Sequence, residues 1–220
     1  VALASAQPVS ELTVHFTVFS AAPIDGLSFV PQPGASPMPV VFYPTARSPR
    51  YDYQGANPLK FYRVPAMAAA ADEATLAAEV ALPLTLHDAL LLFTPLAPTT
   101  AGGPRYRVYV LDDGAARRAV GGLTIINFSG LVLTGTIGGK TATLNNGLNP
   151  SVSLDRSAKI LLRTPFKERS YQSYADTVEL GPGERALLIL FPPYRPGSLE
   201  VQSRLLVDKD NLVTPPPIGR

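Results

Sequence analysis

Apolar and polar residues alternate along most of the chain in short runs broken by glycine, proline and asparagine, which is the period of half-buried strands. Leu131-Val132-Leu133-Thr134-Gly135-Thr136-Ile137 alternates up to Gly138-Gly139, and Thr141-Ala142-Thr143-Leu144 returns, so pattern and turn chemistry together predict a β-hairpin. Asn145-Asn146-Gly147 supplies the next turn. Tyr106-Arg107-Val108 and Leu199-Glu200-Val201-Gln202 read as strands with one wet face. Ala89–Phe93 and Ala186–Phe191 are apolar at every position and are expected to be central strands of their sheets. The 23 prolines fit turns and strand edges and would break helices. One segment departs from the pattern: Met67 to Ala78 is alanine-rich, and its propensity predicts a short helix over one end of the first domain.

The pattern repeats. Ala89-Leu90-Leu91-Leu92-Phe93-Thr94-Pro95 matches Ala186-Leu187-Leu188-Ile189-Leu190-Phe191-Pro192 at a separation of 97 residues. The same separation carries Val108-Tyr109-Val110 onto Leu205-Leu206-Val207 and Asp113-Gly114 onto Asp210-Asn211. Upstream, Glu79-Val80-Ala81-Leu82 falls on Thr177-Val178-Glu179-Leu180, and Phe61-Tyr62-Arg63-Val64-Pro65 on Leu161-Leu162-Arg163-Thr164-Pro165. At the front, Leu12-Thr13-Val14-His15-Phe16 resembles Leu123-Thr124-Ile125-Ile126-Asn127-Phe128. The reading is a duplicated domain: a flexible N-terminus over 1–9, copies at 10–114 and 120–211, a short link over 115–119 carrying Arg117 and Arg118, and an extended Pro-rich tail over 212–220. Roughly seven or eight strands per copy make the expected fold all-β, two tandem immunoglobulin-like β-sandwich domains. The copies agree least over 31–58 and 65–78, so any activity particular to the first domain is expected there.

Composition narrows the function classes. Nineteen basic residues against 17 acidic leave a formal charge of +2, with the basic residues scattered, which excludes the basic stripe of a nucleic-acid binder. The absence of cysteine excludes disulfides, thiolate metal sites and a cysteine nucleophile. No apolar run approaches the ~20 residues of a membrane-spanning helix. Ala4-Ser5-Ala6 followed by Gln7-Pro8 reads as the small-residue end of a secretory signal, so the protein is expected to be exported to the periplasm, the cell surface or the medium.

Candidate chemistry is sparse. Gly135-Thr136-Ile137-Gly138-Gly139-Lys140-Thr141 resembles a phosphate loop, but it has three residues where four are needed and strand residues follow, so it is read as the hairpin turn. A hydrolase relay needs an imidazole, and only His15, mid-strand, and His87, in a turn before the core strand, offer one; neither has a Gly-x-Ser-x-Gly elbow beside it. Calcium would have to use Asp112, Asp113, Asp208 and Asp210, which read as acidic residues closing the last strand of each copy. No cofactor site is legible, and the dispersed carboxylates single out no glycosidase pair. Tyrosines recur at 43, 51, 53, 62, 171, 174 and 194. Among them, Arg47, Arg50, Tyr51, Asp52 and Tyr53 form a polar loop whose rings would stack on a ligand and whose charges would hydrogen-bond it.

The paired strand patterns, with Leu123–Ser129 opening the second copy and an apolar strand ending in Pro192-Pro193, resemble exported bacterial proteins of tandem immunoglobulin-like domains. That resemblance implies a fold and an export route and no activity. Two-domain periplasmic chaperones share the architecture, but their paired Arg and Lys beside an alternating donor strand have no counterpart here. The expected function is a non-catalytic envelope protein that binds or supports a protein or glycan partner. The alternatives are a carbohydrate-binding module using the Tyr-rich loops, and a hydrolase with an unrecognised site.

Overall fold

A computed structural model describes residues 11–63, 75–96, 104–114, 118–154 and 156–209. Every regular element among them is a strand, and the chain divides into two compact units between Arg117 and Arg118. The N-terminal segment 1–9, the tail 212–220, Asp210 and most of the segment expected to be helical lie outside the described residues.

Among its described residues unit 1 has eight strands: β1 Glu11–Ser20, β2 Leu27–Phe29, β3 Met38–Pro39, β4 Tyr51–Ala56, β5 Leu59–Arg63, β6 Thr75–Val80, β7 Asp88–Pro95 and β8 Tyr106–Asp112. They form two four-stranded sheets, ordered β4-β1-β7-β8 and β3-β2-β5-β6. Between the sheets lies a core rich in rings, in which Phe61 touches Phe16, Phe29 and Phe93 at centroid distances of 6.0, 6.1 and 5.0 Å.

Unit 2 continues with β9 Gly122–Asn127, β10 Leu133–Ile137, β11 Lys140–Leu144, β12 Gly147–Leu148, β13 Val152–Ser153, β14 Ser157–Phe166, β15 Arg169–Glu179, β16 Glu184–Phe191 and β17 Gln202–Lys209. Its sheets are β12-β9-β16-β17, with β13 also on β9, and β11-β10-β14-β15. The core is aliphatic: Leu123, Ile125, Leu133, Ile160, Leu162, Leu188 and Leu190 are all buried.

The two paths coincide. In each unit the first strand pairs in parallel with the seventh or its counterpart, β1 with β7 and β9 with β16, an element that a purely antiparallel immunoglobulin sheet lacks. As their uniform apolarity predicts, β7 and β16 are central, and both faces of β7 are buried at Leu90 and Leu91. Ladder register corrects two of the sequence correspondences. Ala89 lies opposite Phe16 and Ala186 opposite Leu123, so Phe16-Thr17-Val18-Phe19-Ser20 corresponds to Leu123-Thr124-Ile125-Ile126-Asn127, four residues from the match on Leu12. Likewise Val110-Leu111-Asp112, not Val108–Val110, corresponds to Leu205-Leu206-Val207. Both slips are even, so every side chain stays on its face, and alternation alone cannot detect them.

Local devices coincide as well. Ser20 and Asn127, buried at the ends of β1 and β9, each accept a hydrogen bond from the N–H two residues on. The β5–β6 and β14–β15 hairpins each carry one bulge, at Ala77 and Ser173. A bulge leaves a carbonyl outside the ladder. In unit 1 that carbonyl accepts the N–H of Arg105 at 2.8 Å, and in unit 2 the N–H of Val201 at 3.0 Å, each donor entering the last strand of its unit. Both links tie one sheet of the sandwich to the other.

Three further expectations are corrected. Thr75–Ala78, the described end of the predicted helix, opens β6, because Ala77 and Ala78 bury against the core and the ladder to β5 outweighs alanine's helix propensity. Leu199–Val201 precedes β17 and is not strand; Val201 is core, held by Ser173. Arg118, read as linker, belongs to unit 2: its side chain is 3% exposed and its Nη2 donates to Asp208 Oδ2 at 3.1 Å.

Candidate functional site

The segment read as a polar loop, Arg47 to Gly55, becomes strand at Tyr51, because β4 pairs antiparallel with β1 from Tyr51 opposite Phe16 to Ala56 opposite Glu11. Strand alternation then divides the five candidate residues between two faces. Tyr51 and Tyr53 point into the core, 7% and 8% exposed. Their hydroxyls are occupied: Tyr51 Oη accepts from the N–H of Val41 at 2.9 Å, and Tyr53 Oη donates to the carbonyl of Ala56 at 2.6 Å. Burial pushes the Tyr53 hydroxyl above its ordinary range, with Tyr62 adding to the effect. Neither ring offers a face for a ligand to stack on.

Asp52 lies on the other face, and all three charged candidates are paired with distant residues. His15 sits in register with Asp52 on one side and Asp88 on the other. Its Nδ1 donates to Asp52 Oδ1 at 2.5 Å. Arg50, just before β4, reaches over β1 to Asp88 at 2.8 Å, and Arg47 donates to Asp113 at 2.6 Å in a nearly closed site, 10% and 13% exposed. The His15–Asp52 pair is open to water, so it contributes under about 1 kcal/mol and mainly orients the imidazole. His87 is exposed, and its carbonyl accepts the N–H of His15. Among the described residues, no hydroxyl is hydrogen-bonded to His15.

Gly138 and Gly139, both at positive φ, close the β10–β11 hairpin, as the turn chemistry predicts. Asp113 and Asp208 are each engaged by an arginine, and Asp112 Oδ1 accepts the N–H of Gly114. Among the described residues, no cluster of three or more His, Asp or Glu is spaced to hold a metal.

A recess remains beside the outer edge of β4. It has a volume of about 300 Å³, and its walls are Val14, Pro31, Gln32 and Met38 together with Arg50–Gln54. The N–H of Gln54 bonds the carbonyl of Pro31 at 2.8 Å, outward from β1. By the alternation of an antiparallel ladder, the N–H and C=O of Asp52 also face outward, into this recess. Pro31 and Met38 are its accessible apolar side chains, Gln32, Gln54, Arg50 and Asp52 its polar ones, and the outward backbone of β4 borders it. No protein-family model matches the chain, and no curated protein does either.

Sequence reasoning missed how the edge strand is cut. Ser48 precedes Pro49 and Asn149 precedes Pro150, 101 residues apart. Ser48 exchanges hydrogen bonds with Val18, while the N–H of Asn149 donates to the carbonyl of Ile125, the residue that register equates with Val18. Each proline lacks a donor and ends the pairing beside it. The paired Ser-Pro and Asn-Pro dipeptides were the available signal, inside a stretch where the two units otherwise differ.

A second tyrosine site is chemical without being a pocket. Tyr174 on β15 is half-buried beside Asp176, and its hydroxyl is pushed up to about 12, first by burial and then by that carboxylate. Below pH 10 folded and unfolded chains both keep the proton. As pH rises from 10 toward 12 only the unfolded chain loses it, so stability falls across that window. Thermal melts of unit 2 are expected to drop less steeply between pH 10 and 12 in Tyr174→Phe than in the wild type; equal slopes would remove Tyr174 from the alkaline transition.

Proposed function

We propose that this chain is an exported, non-catalytic protein of the cell envelope, made of two duplicated sandwich units with immunoglobulin-like layering, and that it binds a protein partner at the β4 edge of unit 1. The shared strand path and the coincident bulges support duplication. The Ala4-Ser5-Ala6-Gln7-Pro8 run supports export. The observation that carries the binding role is the recess, where outward-facing strand backbone borders the apolar side chains of Pro31 and Met38. An extended peptide uses both at once, hydrogen-bonding the edge and seating a side chain beside it. A sugar would need open ring faces, and those of Tyr51 and Tyr53 are buried, so the recess favours peptide over glycan.

The test is a photo-crosslinking residue at Gln32 in the full chain, exposed to an envelope fraction, with a control at Leu148, which is 63% exposed in unit 2. One adduct is expected from Gln32 and none from Leu148. It should be competed by unmodified chain and weakened at least about fivefold by Met38→Asp, as loss of an apolar anchor predicts. Equal labelling at both positions would contradict the reading, and saturable binding on a glycan array without a protein adduct would move it to the carbohydrate alternative.

A further inference from the structure

We propose that the tip of the β14–β15 hairpin docks this protein onto an anionic phospholipid surface. The tip is separate from the β4 recess and does not depend on it. β10 pairs with β14 only from Ile160 to Arg163, whereas β14 and β15 stay paired out to Phe166 opposite Arg169. The last residues of the hairpin therefore run beyond the sheet as a two-stranded arm.

The core-facing stripe of β14 continues onto that arm. Leu162 and Thr164 are buried, but Phe166, two residues on, is 49% exposed, and Tyr171, opposite Thr164, is 40% exposed. Their rings lie 6.4 Å apart, and the Lys167 ammonium sits 5.4 Å from the Phe166 centroid. Lys167 and Arg169 flank Phe166, Arg163 lies on the opposite face of β14, and Glu168 is the single acid between Arg163 and Gln172. The turn is closed by Lys167 and Glu168 at φ 47° and 63°, a conformation that disfavours any residue with a Cβ and usually selects Asn-Gly. Charged side chains are thus kept at the apex where the backbone does not call for them.

Shape and charge choose the partner. A stable protein interface covers about 800 Å² on each side with close complementarity, which a convex tip of two rings does not offer. A bilayer deforms around a protrusion, accepts rings at the headgroup level, and attracts flanking cations when its lipids are anionic. The aromatic apex and net positive rim match that surface. Contact would be peripheral; among the described residues, no helix is long and apolar enough to cross a membrane.

The chain has no tryptophan, so Phe166→Trp places a single indole at the apex. With vesicles of equal parts phosphatidylglycerol and phosphatidylcholine, the full-length variant should blue-shift and co-sediment, and salt should reverse both. Reversing Lys167 and Arg169 to glutamate in that background should cut partition at least about tenfold, since each cation near such a surface is worth about fivefold. Phe166→Ser with Tyr171→Ser, both at exposed positions, should keep the wild-type melting temperature and lose co-sedimentation. The proposal is overturned if the indole does not shift with anionic vesicles, or if either variant set binds as the parent does. It is overturned equally if the tip is retained on an acidic polypeptide column while vesicles leave it unchanged, which would assign it to an acidic protein.

Discussion

Gly135→Ala is expected to unfold unit 2 or destabilise it by about 4 kcal/mol or more, beyond the range of most single substitutions. Gly135 lies inside β10 opposite Leu162. A Cβ there would stand 1.9 Å from the carbonyl oxygen of Leu161 and 3.0 Å from the Cα of Leu162. These are backbone atoms of a strand paired on both sides, so no side chain can swing away, and relief requires opening the β10–β14 ladder. A glycine in mid-strand marks such a close backbone approach. Gly139→Ala is the control: its φ is +78°, and an added Cβ meets nothing within 4 Å, so the cost is confined to about 1–2 kcal/mol of backbone strain. Denaturant titrations of the two variants compare the effects directly. If Gly135→Ala costs no more than Gly139→Ala, the two strands do not approach as described.

Phe61→Ala should cost unit 1 about 3–5 kcal/mol, a large part of the 5–15 kcal/mol that holds a domain together. Phe61 has no exposed surface and touches three other rings, two of them edge-on. Removing it leaves a cavity bounded by Phe16, Phe29 and Phe93, which belong to strands of both sheets and cannot all move inward. Amide spectra of unit 1 residues followed through denaturant should show the transition shifted to low concentration. Phe166→Ala, at a position half open to water, should move its own unit by less than about 0.5 kcal/mol. A small shift for Phe61→Ala would mean that the ring cluster does not organise the core.

The all-β class, the hairpin at Gly138-Gly139 and the central strands were legible because each rests on local chemistry: alternation, two glycines at positive φ, and runs apolar on both faces. Register was less legible. Period-two patterns look the same after a slip of two or four residues, and the first-strand match landed on Leu12 when the ladder equates Leu123 with Phe16. The pairing of the candidate residues was hidden for a related reason. Arg47, Arg50 and Asp52 read as free polar groups because their partners Asp113, Asp88 and His15 lie 66, 38 and 37 residues away in sequence, and only the sheet brings them together. Tyr51 and Tyr53 were grouped with them by adjacency, although alternation alone places 51 and 53 on the face opposite 50 and 52. The recess was invisible because its lining joins Val14, Pro31-Gln32, Met38 and Arg50–Gln54 from separate segments.

The central claim is that one strand path is used twice and that partner recognition lies where the two uses differ. Interstrand proton contacts measured by NMR in the intact chain test it most directly. Parallel pairing should place Phe16 beside Ala89 and Leu123 beside Ala186, and the amides of Arg105 and Val201 should be protected from exchange by the bulge carbonyls of Ala77 and Ser173. Contacts that placed Ala89 beside Leu12 instead of Phe16, or protection of only one of those two amides, would contradict it.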